Sequence, residues 1–355
     1  MKKTQMALAA VALVASTASM AQVTVYGNAD ASIITGGGTT SFDGGGGYTT
    51  SLFGLRGSED LGGGLKASFN VESAVNFANG GQGGGAGGNT NLFNRAANVG
   101  LGNDMIGLTF GNQISVVVAD SFTGATAGAG DNVNVPAVVR LLGGTPGTVV
   151  HAGGTAGDGT GAVGTNLASG FFIPDAATLR VSAGGLTLKA QTRVNKASAT
   201  NSGYTAFTVS GGFEGFNFAA GQQQSSGWAD LALGATTTNY KTMFIAANTK
   251  IGDIGLNAAF ANNTGLVDAK TYMVGASYPL SDAMSVGALY ARGTATQGNQ
   301  TSFNLKYSLS KATVAYVTTS MFSADGGGAV FSNTGNGAIG ATARNATAVG
   351  VSHSF

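Results

Sequence analysis

His151 and His353 are the only histidines in this chain, and it has no cysteine. A histidine-based metal centre needs more ligands than these two, and a thiolate site has none. A serine hydrolase would need one of them beside a serine and an orienting acid, and no spacing suggests it. What the sequence offers instead is charge in a pattern. Arg56, Lys66, Arg180, Lys189 and Arg193 fall on one parity of alternating segments, while Asp120, Asp131, Asp158 and Asp175 fall in one long connection. Cations facing carboxylates across a gap make and break no bonds; they set up a field that orients polar solutes passing between them. The expectation is therefore a non-enzyme, with no cofactor and no metal.

Such a field needs walls, and the alternation supplies them. In 22–34, Val23, Val25, Ala29, Ala31 and Ile33 share one face, and Thr24, Asn28, Asp30 and Ser32 the other. Leu65, Ala67, Phe69 and Val71 alternate with Lys66, Ser68, Asn70 and Glu72, and Ile106, Leu108 and Phe110 with Gly107, Thr109 and Gly111. This period of two is the signature of strands with two unlike faces. It recurs in 53–56, 93–102, 177–183, 186–194, 203–210, 216–223, 240–249, 253–261, 270–278, 284–292, 301–309, 312–320 and 346–355. The reading gives about sixteen strands, an even number suited to a closed antiparallel barrel. One segment, 240–249, is apolar on both faces.

The ends say where the apolar face goes. Met1-Lys2-Lys3, the apolar stretch from Met6 to Val14 and Ser19-Met20-Ala21 read as an export signal, residues 1–21, cut after Ala21. Residues 22–355 then form one domain. Only 9% of residues are charged, 60 of 355 are glycine, and the formal net charge is +1. So few charges suit a wall facing lipid, and the near-neutral balance, with no basic block, argues against nucleic acid as a partner. Past residue 21 there is no apolar run long enough for a helical span. An exported chain that is apolar on alternate residues is expected in an outer membrane, closed into an all-β transmembrane barrel so that every backbone group is paired.

Connections alternate between short turns (60–62, 103–104, 183–185, 252–253, 279–282, 310–311) and longer stretches (35–50, 74–92, 223–239, 292–300, 320–346), the layout of such barrels. The longest, 114–176, has a physical home inside an aqueous lumen, where it would narrow the passage. Its apolar pieces 114–118, 135–142 and 171–174 would pack it against the inner wall. Pro136, Pro146 and Pro174 are read as lying in it, and Pro279 in a turn, so that no strand loses a ladder donor. Trp228, Tyr26, Tyr240, Tyr272 and Tyr290 are read as an interfacial aromatic girdle.

At this point the chain resembles the Gram-negative general porins, in particular the trimeric β-proteobacterial branch. The resemblance is carried by Val25-Tyr26-Gly27-Asn28-Ala29-Asp30 and by the run from Gly54 to Ala67 containing Gly57-Ser58-Glu59-Asp60-Leu61-Gly62-Gly63-Gly64-Leu65. Phe93-Asn94-Arg95, Val99-Gly100-Leu101, Leu108 to Gln113, Leu309-Ser310-Lys311 and the closing Gly350-Val351-Ser352-His353-Ser354-Phe355 add to it. It implies a sixteen-stranded barrel assembled as a homotrimer, a third loop forming the eyelet, and Phe355 as the signal read by the outer-membrane assembly machinery. It also implies passive diffusion of ions and small hydrophilic solutes. The chain departs from the family at Asn112, where a basic residue is usual, near Ser352 and Ser354, where basic residues are usual, and in a longer, less acidic third loop, so the sign of selectivity stays open. A substrate-selective channel of the same build and a glycine-rich adhesive surface protein are the alternatives; the second would need a repeat of fixed period, which the segments lack.

Overall fold

A computed structural model describes residues 22–82, 91–126, 150–152, 163–165, 172–194, 203–230, 235–264, 269–294, 299–323 and 345–355. The chain runs β1 (Gln22–Gly36), β2 (Thr39–Asp43), β3 (Leu52–Gly62), β4 (Leu65–Ala74), β5 (Ala96–Gly102) and β6 (Ile106–Ile114). Helix α1 (Val116–Thr126) follows, then the short pair β7 (Val150–Ala152) and β8 (Val163–Thr165), then β9 (Phe172–Ala183) and β10 (Leu186–Arg193). The remaining strands are β11 (Gly203–Phe213), β12 (Phe216–Asp230), β13 (Ala235–Ile251), β14 (Ile254–Thr264), β15 (Ala269–Pro279), β16 (Met284–Gly293), β17 (Asn299–Ser308), β18 (Thr313–Phe322) and β19 (Asn345–Ser354).

Each wall strand pairs antiparallel with its neighbours, and β1 closes the ring by pairing with β3 along one edge and β19 along the other. Leaving aside β2, β7 and β8, the wall has sixteen strands, as the alternation implies. Closure leaves no long unpaired edge, which a lipid-facing sheet requires. It also excludes a solenoid. Val25 is 62% exposed on the outer face and Asp30 fully buried on the inner one, although they lie on the same strand. Val99, Leu108, Leu188, Phe207, Ile245, Val274 and Val349 continue the outer apolar face.

The seam between the chain ends is tight. Phe355 N–H donates to the Gly27 carbonyl and Gly27 N–H to the Phe355 carbonyl, both at 3.0 Å. A Cβ on residue 27 would lie 2.4 Å from the Phe355 ring and 2.6 Å from the Leu52 carbonyl, so only glycine admits the terminal aromatic here.

Several local expectations are corrected. The stretch 223–239 is largely strand, because β12 and β13 continue pairing through two register shifts, between Ser225 and Trp228 and between Trp228 and Asp230. Residues 39–43 fold back on β1 as β2. Pro174 lies within β9, not in a loop. The β6–β9 ladder shifts register between Gly111 and Gln113, and Asp175 has φ +51°, so the missing N–H falls at an irregularity. Tyr26 points into the lumen, since it alternates with the outward Val25; Tyr272 and Tyr290 are exposed on the outer face.

Candidate functional site: the lumen and its inward-folded segments

The long connection begins by entering the barrel as a helix, which the sequence did not announce. Three consecutive β-branched valines disfavour helix, but two features override them. Ser115 caps the first turn, its Oγ accepting from Val118 N–H at 3.3 Å. The valines themselves find an apolar seat: Val116, Val117 and Val118 are buried against Ala206, Ala219, Phe244, Ala246, Ala261 and Met273 on the inner wall. Burying each is worth about 1.5–3 kcal/mol. Small alanines leave the room for the helix, and this seat is why 240–249 is apolar on both faces.

Polar side chains fix where the helix starts. Gln191 Oε1 accepts from Val116 N–H at 3.1 Å, and Gln191 Nε2 donates to the Ile114 carbonyl at 3.1 Å. Ser115 Oγ donates to Gln223 Oε1 at 2.8 Å and lies 2.8 Å from the Tyr204 hydroxyl. One turn on, Asp120 is held by Lys189 Nζ and by the Thr208 hydroxyl, each at 2.5 Å. Asp120 and Lys189 are thus brought together as a tether, and do not face each other across open space.

The other expected cations have separate surroundings. Arg180 donates to the carbonyls of Asn103 and Asp104 and to Ser182 Oγ, bracing the short turn between β5 and β6. Arg193 is 2% exposed, with Nε donating to the Pro174 carbonyl at 3.3 Å; it is sealed behind the root of the long connection and is not presented to the lumen. Lys66 is exposed near the turn after β3, in register with Asp60. Arg56 is exposed on the inner face, its guanidinium 4.8 Å from the centre of the Tyr26 ring. Asp175 is exposed at the start of β9. Asp131 and Asp158 lie outside the described residues.

Alternation alone missed the partners of these groups. The Tyr26 hydroxyl lies 2.7 Å from Asn70 Oδ1 and 2.9 Å from Glu72 Oε2, and Arg95 Nε donates to Glu72 Oε1 at 2.6 Å. Arg56, Tyr26, Glu72 and Arg95 therefore form a continuous polar track along the inner face of β1, β3 and β4. The inward parity of Glu72 was legible; Arg95 falls in the alternating stretch 93–102 but on the parity of the outward Val99 and Leu101, and it lies just before β5, so alternation gave it no inward role. Among the described residues no cluster of His, Cys, Asp and Glu could hold a metal ion.

A closed barrel with an apolar outside and a polar inside, entered by one of its own connections, defines a transmembrane channel. The family model for Gram-negative porins matches residues 7–328. The chain belongs to that family, and it is an outer-membrane porin. Solved structures agree in fold. An anion-selective porin from Comamonas acidovorans superposes with a TM-score of 0.71 at 20% identity, covering 95% of this chain and 100% of the other. OmpT of Vibrio cholerae in its trimer form gives 0.62 at 14% identity, with 94% and 99% covered. Salmonella typhi OmpF in complex with daunomycin gives 0.63 at 16%, with 95% and 100% covered. A search of the curated proteins found no match.

Proposed function

We propose that this porin is a homotrimeric diffusion channel for small hydrophilic solutes that favours anions. Residues 1–21 direct its export through the periplasm, and 22–355 are the mature barrel. The observation that carries the preference is how the inner charges are distributed. Inside the barrel Asp120 and Glu72 are each held by a cation and Asp30 and Asp43 are buried, whereas Arg56 stands exposed on the inner face; Lys66 is exposed there too, in register with Asp60 at the turn. Arg56 and Lys66 are assigned to the pore lining, Arg180 and Lys189 to bracing a turn and the helix. The Comamonas relative is described as anion-selective and one OmpT structure as a trimer, in line with both parts of the reading. Phe355, seated on Gly27 at the seam, is assigned to recognition by the assembly machinery. Reversal potentials of Arg56→Ala with Lys66→Ala in a salt gradient test the selectivity: the anion preference falls if these residues line the path, and is unchanged if they do not.

A further inference from the structure

Asp30 is a carboxylate on a membrane-spanning strand with no exposure at all. Burying such a group is costly unless donors surround it, and here they do. Its oxygens accept from the consecutive backbone N–H groups of Gly47, Tyr48 and Thr49 at 3.2, 3.0 and 2.7 Å, and from the Tyr316 hydroxyl at 2.7 Å. Its own backbone exchanges two further bonds with Ser51 Oγ, at 3.0 and 2.8 Å. Successive N–H groups aimed at one anion form a nest, and hydrogen bonds to a charged acceptor are the stronger kind. All of these donors except Tyr316, on β18, belong to segment 44–51, which follows β2 and lies against the inner wall.

Apolar packing reinforces the clamp. Tyr48 stacks on Tyr316 with ring centres 5.2 Å apart, over a buried inner patch of Ile34, Ala346 and Ala348. Ser352 is small enough for Thr49 to lie 3.0 Å away, hydroxyl to hydroxyl. On its other side the segment meets the next connection, where Phe77 N–H donates to the Gly44 carbonyl at 2.8 Å and Val75 N–H to the Ser51 carbonyl at 2.9 Å. This repeats the way α1 is held: small residues and an apolar patch on the inner face, with a polar anchor beside them. The two seats are far apart. Helix α1 packs on β10 to β14, centred on β12 and β13, and segment 44–51 on β18, β19 and β1. From β12 to β19 is seven steps around a ring of sixteen strands, almost a half turn.

We propose that segment 44–51 is a second internal constriction element, facing α1 across the lumen, and that Asp30 is its positioning residue. The aperture is then set by two seated segments, with Lys306 on β17 5.6 Å from the centre of the Tyr48 ring. This rests on the channel reading, but the seating can be tested independently of current. An ideal Cβ on Gly47 lies 3.4 Å from Ser32 Cβ, near the disulfide range, and 2.7 Å from the Tyr316 hydroxyl. Ser32→Cys with Gly47→Cys in a Tyr316→Phe background therefore removes the obstruction, in a chain with no other thiol. Mild oxidation of the folded protein should cross-link the pair. Failure to cross-link in a folded barrel overturns the seating, whatever the current shows.

In planar bilayers, Asp30→Asn should raise single-channel conductance and open-channel noise, as the nest loses its charge and the segment leaves the wall more often. In that same Asp30→Asn background, the oxidised Ser32–Gly47 cysteine pair should restore the smaller, quieter current, and reduction should release it. If Asp30→Asn does not fold, Ser51→Ala, which removes both bonds to the Asp30 backbone, takes its place as the unclamped background. Identical currents in both states, with cross-linking complete, overturn the claim that this segment narrows the pore.

Discussion

Replacing Asp120 with asparagine keeps the shape of the side chain and removes the charge that tethers α1. In the folded protein its two oxygens meet Lys189 Nζ and the Thr208 hydroxyl, and its side chain is 5% exposed against 24% for Lys189. Breaking a fully buried pair costs about 3–5 kcal/mol. Lys189 can turn partly to water, so the lower range of about 2–3 kcal/mol, typical of one or two charge-assisted hydrogen bonds, is the better figure. That corresponds to roughly a 30- to 150-fold rise in the population with the helix off its seat. The valines still hold the apolar contact, so the barrel itself should assemble normally. The assay is the labelling rate of a cysteine at Val117, the α1 residue fully buried against the inner wall, by a small hydrophilic thiol reagent, measured with and without Asp120→Asn. The asparagine should speed labelling by that factor. Adding Lys189→Met should recover part of the loss, with a coupling of about 0.5–3 kcal/mol between the sites. An unchanged rate in Asp120→Asn would show that the ion pair does not hold α1, and would refute the reasoning.

Other outcomes follow from the same geometry. Arg56→Ala with Lys66→Ala should move the reversal potential toward cations at low salt, and the shift should shrink near 1 M salt, where the screening length is about 3 Å. Deleting Phe355 should leave export intact but lower the yield of folded, heat-modifiable barrel, since both backbone bonds to Gly27 and the seated ring are lost; undiminished assembly would count against the seam. A cysteine at Thr40, exposed in the β1–β2 hairpin, should label on intact cells, and one at Asp282, in a short turn, should not. Labelling of both, or the reverse, would contradict the strand register.

The wall was legible in the sequence because a lipid-facing strand repeats its pattern every two residues, and Val23, Val25 and Ile33 could be set against Asn28, Asp30 and Ser32 without any tertiary knowledge. What lies inside the wall was harder. Helix α1 depends on a seat built from β11 to β15, so Val116, Val117 and Val118 read locally as anything but helix. The trace of that seat was present as the doubly apolar 240–249, whose inward Phe244 and Ala246 have no reason to be apolar unless something covers them. Ile34 next to Ile33 is the corresponding trace for segment 44–51. Charge roles were the least legible. Parity placed Arg56, Arg180, Lys189 and Arg193 on one face, but it carries no information on what a long side chain reaches, and three of these four brace backbone or helix.

The most direct test of the account is the reversal potential of the purified protein in a planar bilayer under a salt gradient. The account predicts stepwise, persistent conductance with the reversal potential displaced toward the anion equilibrium value. A bilayer that stays silent, or a reversal potential displaced toward the cation value, would contradict it.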